Sequence, residues 1–166
     1  MSQFKEFAHL KMLVFDSCNL HCSVPIIEKE SAAYGACHFK LDSLNIRFRV
    51  AKITPTKIGQ FVTLWKRSKD GITEPFNTND EIDYFIITAK SAEQFGFFIF
   101  PKRVLINHFI ISSNGINGKR GIRVYPSWDR VNSKQAQKTQ DWQVQYFINL
   151  LDEQAIDYEK IKQLLA

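Results

Sequence analysis

The chain has 166 residues, 45% of them hydrophobic and 23% charged, and a net charge of +5 at pH 7. That is enough chain to bury a core without staples, too apolar for a disordered segment, and it lacks the run of about 18 uncharged apolar residues that a membrane helix needs. The opening Met1-Ser2-Gln3-Phe4-Lys5-Glu6-Phe7 mixes acids with bases and argues against a secretory leader, so Cys18, Cys22 and Cys37 are expected as reduced thiols in a cytoplasmic protein.

No repeat or linker interrupts the chain, which predicts a single domain over residues 1–166. Phe4, Phe7, Leu10 and Val14 recur at helical spacing and predict a first helix over 2–14. Tyr34–Leu41 and Asn45–Lys52 read as strands joined at Asp42-Ser43; in the second, Ile46, Phe48 and Val50 alternate with Asn45, Arg47 and Arg49. Gln60–Arg67 reads as a further strand, ended by Lys69-Asp70-Gly71. Glu81–Ala89 and Phe95–Phe100 follow; the unbroken Phe97-Phe98-Ile99-Phe100 predicts a strand buried on both faces. Pro101 starts a helix over Lys102–His108, and a Gly/Asn-rich loop leads to a strand at Gly121–Tyr125. The longest helix is expected over 133–151, with Ala136, Val144, Phe147 and Leu151 facing inward and Trp142 as a core anchor. Asp157 caps a last short helix. Strands in the middle and helices at the ends predict an α+β fold: a central mixed or largely antiparallel sheet flanked by helices.

The charge is unevenly distributed. Residues 40–69 carry eight Lys or Arg against one Asp, and residues 101–138 again eight against one. Two such segments build a field of one sign if they meet in space, or else they are solvated strand edges.

The run Phe48-Arg-Val-Ala-Lys-Ile-Thr-Pro-Thr-Lys-Ile-Gly-Gln-Phe-Val-Thr-Leu-Trp-Lys-Arg67 is distinctive. So are Pro75-Phe76, Phe98-Ile-Phe-Pro-Lys102, Lys119-Arg-Gly-Ile-Arg-Val-Tyr-Pro-Ser-Trp128 and Thr139-Gln-Asp-Trp-Gln-Val-Gln-Tyr-Phe147. In these stretches, across residues 34–150, the chain resembles the MepB-like bacterial family. The resemblance implies a protein associated with a multidrug-efflux operon, with no established activity, and a topology like that of restriction nucleases and tRNA-splicing endonucleases. Fold alone does not fix function.

A nuclease of that fold would hold Mg²⁺ with an Asp and a following Asp/Glu-x-Lys. Here Asp83 and Lys102 flank the two central strands, but Phe100 occupies the ligand position and no Asp/Glu-x-Lys triplet occurs. Asp80, Asp83, Glu74 and Glu81 are therefore expected as an acidic turn rather than a metal site. The spacing Cys18-x₃-Cys22 with Cys37-His38 lacks the C-x₂-C pair of a zinc knuckle, so no metal or other cofactor is expected.

The remaining candidates are anion binders. Thr54-Pro-Thr-Lys-Ile-Gly59 offers Thr54, Thr56 and Lys57 as donors beside a backbone freed by glycine, flanked by Lys52, Lys66 and Arg67. The alternative is a turn whose threonines satisfy their own backbone. Lys102, Lys119, Arg120 and Arg123 add phosphate-binding groups, and Trp65 or Trp128 could stack on a base. Tyr125 and Trp128 packing against Trp142 and Tyr146 is the competing expectation. The leading reading is a nucleic-acid- or nucleotide-binding domain with a basic face. The alternatives are a metal-dependent nuclease and a small-anion or partner-binding protein linked to efflux.

Overall fold

The computed structural model describes residues 4–166, so Ser2 and Gln3 of the expected first helix lie outside them. Helix α1 (Lys5–Leu10) runs on as a π-helical turn over Lys11–Phe15, burying Phe7, Leu10, Leu13, Val14 and Phe15 along one side. The strands follow as β1 (Ile26–Ile27), β2 (Cys37–Leu41), β3 (Leu44–Val50), β4 (Lys52–Ile53), β5 (Gln60–Thr63), β6 (Trp65–Arg67), β7 (Thr73–Pro75), β8 (Tyr84–Lys90) and β9 (Phe95–Pro101). Then come α2 (Lys102–Asn107), β10 (Gly121–Val124), α3 (Lys134–Gln143), β11 (Phe147–Asn149) and α4 (Tyr158–Leu164). Among the described residues no helix is long and apolar enough to cross a membrane.

The main sheet is six-stranded in the order β1-β2-β3-β8-β9-β11. Only β3 and β8 run parallel; the other neighbours are antiparallel, so the sheet is mixed, as the segregation of strands and helices predicts. A three-stranded sheet, β10-β5-β4, and the β6-β7 pair complete the strands.

Strand alternation divides the apolar side chains between two faces. Ile46, Phe48, Ile86, Phe97 and Ile99 face one side and meet Phe7, Leu10, Val14 and Ile161 from the terminal helices. Phe85, Ile87, Phe98 and Phe100 face the other and meet Val62, Ile122 and Val124 of the strands above, with Leu64 between β5 and β6 and Leu105 of α2. Both faces of β9 are thus covered, which its four consecutive apolar residues require. Each such side chain removed from water contributes about 1.5–3 kcal/mol. A charged group interrupts the apolar pattern: Arg49 of β3 is fully buried on the second face, paired with Glu28.

Two expected elements end elsewhere. The helix predicted over 133–151 stops at Gln143; a 3₁₀ turn over Val144–Tyr146 leads into β11. Phe147 and Ile148 are both buried, as an edge-capping strand demands, and β11 pairs with β9 with Asn149 opposite Gly96. A Cβ on Gly96 would collide with the Phe147 ring, so the glycine makes room for this pairing. Lys160 Nζ donates to the carbonyls of Val144 and Phe147 across the break. Of the predicted inner stripe, Ala136 and Val144 are half-buried and Leu151 is exposed. The strand expected over Gln60–Arg67 is divided at Leu64, whose N–H donates to the Arg120 carbonyl; β5 pairs with β10, and β6 crosses to β7.

Candidate functional site

A cleft of about 520 Å³ opens between β10, the turn carrying Lys57, the C-terminal end of α2 and one side of α3. Its charged lining is Lys57, Lys119 and Arg123, without an Asp or Glu. Ser133, Gln135 and Thr139 supply hydroxyl and amide groups, and Phe61, Tyr125, His108 and Trp142 supply rings.

The floor is held by hydrogen bonds that the sequence pattern does not announce. Gln143 is buried; its Oε1 accepts from the Tyr125 N–H at 2.8 Å and its Nε2 donates to the Arg123 carbonyl at 3.1 Å. Gln140, also buried, donates to the carbonyls of Pro126 and Asp129, both at 2.9 Å. A buried polar group is tolerated when its partners are present, and here two amides lock α3 to the chain just after β10. Ser133 caps α3, its Oγ accepting from the Ala136 N–H at 3.1 Å. Arg123 Nη1 donates to Thr54 Oγ1 at 3.0 Å and to the Gly59 carbonyl at 3.2 Å, drawing the 54–59 turn against β10. Gly59 has φ +86°, and an added Cβ would lie 2.7 Å from the Tyr125 ring, so this close approach needs glycine.

His108 caps the C-terminal end of α2 and lies flat on Trp142, with ring centroids 3.9 Å apart and 9° between planes. Partial desolvation holds the exposed His108 below its ordinary pKa, which favours a neutral imidazole at pH 7. Trp142 also meets Phe100 at 5.4 Å, but it is half-buried rather than a core anchor, because α3 presents Gln140 and Gln143 as its buried residues.

Of the sequence candidates, Lys57, Lys119 and Arg123 therefore share one cleft, and Thr54 supports it through Arg123. Thr56 is exposed and outside the lining. Lys52 sits over the Tyr34 ring at 4.8 Å. Arg67 lies over Trp65 and donates to the Gly71 carbonyl. Lys102 Nζ donates to the carbonyls of Thr78 and Asp80, and Arg120 donates to the carbonyl of Thr73. Trp128 is half-buried with its ring at 74° to Phe147, in a smaller cleft of about 270 Å³ that Lys57 also lines. Much of the basic excess is thus taken up within the chain: Arg47 and Arg49 pair with Glu28, and Lys66 pairs with Asp80 and Glu74.

Asp80, Asp83 and Glu74 find partners within the chain. Asp83 Oδ2 accepts from the Asn45 N–H at the start of β3, and Asp80 Oδ2 accepts from the Asn77 N–H while Oδ1 takes Lys66. Among the described residues no three His, Cys, Asp or Glu side chains converge in a group. Cys37 is buried, and desolvation pushes its thiol up to about 12. Sequence reasoning placed His108 only at a helix end and Trp142 only in the core; no spacing rule links residues 34 positions apart on separate helices.

The MepB-like family model matches residues 28–149. A crystal structure of MepB is similar at a TM-score of 0.78, with 32% identity over 89% of this chain and 98% of that one. A bacterial homing endonuclease, I-Ssp6803I, gives a TM-score of 0.47 at 12% identity over 82% of this chain and 84% of that one. No curated protein matches the chain. The family match covers most of the sequence and the MepB structure covers most of the fold: the chain belongs to the MepB-like family.

Proposed function

We propose that the cleft binds nucleic acid through its phosphates. The observation that supports this reading is the lining: Lys57, Lys119 and Arg123 with no carboxylate among them. Lys57 and Lys119 are exposed and take part in no ion pair among the described residues, so their charge is available to a ligand. Arg123 contributes field and shape, since its guanidinium also holds the 54–59 turn. Ser133, Gln135 and Thr139 add hydrogen-bonding groups suited to sugar and base edges.

Binding by two free lysines and one arginine neutralises about three phosphates, so log K against log[salt] falls with a slope of about −2 on a single strand. Fluorescence anisotropy with labelled DNA and RNA at several salt concentrations measures it. Replacing Lys57 and Lys119 together by Ala flattens the slope by about 1.5 and weakens all sequences alike. Binding weaker than about millimolar at low salt, or a slope unchanged in the double variant, refutes the reading.

A further inference from the structure

We infer that His108, held flat on Trp142, is the stacking platform for an unpaired nucleobase, so that the ligand of the cleft is single-stranded nucleic acid or the unpaired end of a duplex. The inference rests on the proposed phosphate-binding role of the same cleft and deepens it.

The ring geometry carries the argument. Trp142 meets Phe100 at 5.4 Å and 51°, and His108 at 3.9 Å and 9°. The imidazole therefore covers one of its faces. His108 is exposed, with one face on Trp142 and the other turned away from it, and it lines the cleft. Its backbone N–H is satisfied within α2, by the Val104 carbonyl at 3.1 Å, but its imidazole makes no hydrogen bond among the described residues. The stack on Trp142 orients the ring.

A planar, uncharged ring with one face free is what an aromatic base stacks on. Bases inside a duplex already have both faces covered by their neighbours and present only their edges, so a stacking platform selects a base that has left the helix. The cleft volume of about 520 Å³ has room for one nucleotide. Lys57 and Lys119 then meet the phosphate, while Gln135 and Thr139 of α3 meet the polar edge of the base.

The test compares three labelled probes by anisotropy: a single strand, the same strand made abasic, and a duplex of equal length. The wild-type protein binds the base-bearing strand about tenfold more tightly than the abasic one. His108→Ala brings the base-bearing and abasic strands to equal affinity, whereas His108→Phe, which restores a ring, keeps the preference. If base-bearing and abasic strands bind equally with the salt slope intact, the phosphate reading stands and the stacking inference is overturned. A His108→Phe variant that behaves as the Ala variant also overturns it. Absence of binding to any of the three probes overturns both.

Discussion

Glu28→Gln keeps the shape of the side chain and removes the one counter-charge of a buried arginine. Glu28 is 8% exposed and Arg49 is 0% exposed. Arg49 Nη2 reaches one carboxylate oxygen at 2.8 Å and Nη1 the other at 3.3 Å, a two-pronged pairing. The rest of the guanidinium donates to the carbonyls of Thr63 and Phe48, and Arg47 joins Glu28 at 3.2 Å. An amide offers one acceptor where the fork needs two, and it leaves Arg49 charged in the interior with Arg47 nearby. Breaking a buried pair from one side costs about 3–5 kcal/mol. With a urea dependence of about 2 kcal/mol per molar, the unfolding midpoint falls by about 2 M. Replacing both partners, Glu28→Leu with Arg49→Met, recovers most of that loss, since both desolvation costs go together.

The pair also has a pH signature. Burial raises the Glu28 pKa, but Arg49, Arg47 and His38 together outweigh it and hold the carboxyl below its ordinary value of 4.5. The unfolded chain therefore takes up the proton more readily than the folded one. The pair's contribution is complete above about pH 4.5 and is lost as pH falls through the lower folded value. Urea melts of wild type and Glu28→Gln at pH 7 and in the acid range measure this. A loss under about 1 kcal/mol at pH 7, or a difference that does not shrink in acid, refutes the account of the pair.

Gln143→Leu leaves the Tyr125 N–H and the Arg123 carbonyl without their side-chain partner, and is expected to cost about 2–4 kcal/mol in urea unfolding; an unchanged midpoint means the clamp is not structural. Phe109, 58% exposed, sits at φ 59° just past α2, where its N–H donates to the Ile106 carbonyl and that of Ile110 to Leu105. Glycine relieves that left-handed backbone, so Phe109→Gly raises stability by about 0.5–1 kcal/mol after its greater freedom in the unfolded chain is counted. That corresponds to a Tm rise of about 1–4 °C by calorimetry, and a lower Tm shows that the ring makes stabilising contacts.

Local pattern determined a great deal of this protein. The alternation of Ile46, Phe48 and Val50, the four apolar residues of β9, Pro101 before α2 and Asp157 before α4 each act through a few neighbouring residues, and each lands where its spacing places it. The family was legible for the same reason, since its motifs are contiguous stretches. The fate of the charges was not legible. Arg49 reads in sequence as one more cation on a polar face, yet the small sheet covers that face and obliges it to find Glu28. Lys102 and Arg120 likewise meet carbonyls that only folding brings near. Phe147 and Ile148 suit a helix by period until β9 offers a free edge, and a ladder with a buried neighbour outweighs helical propensity there. The cleft itself belongs wholly to tertiary structure: Lys57, His108, Lys119 and Trp142 come from separate turns, loops and helices, and their convergence depends on the glutamine clamp that seats α3 on β10.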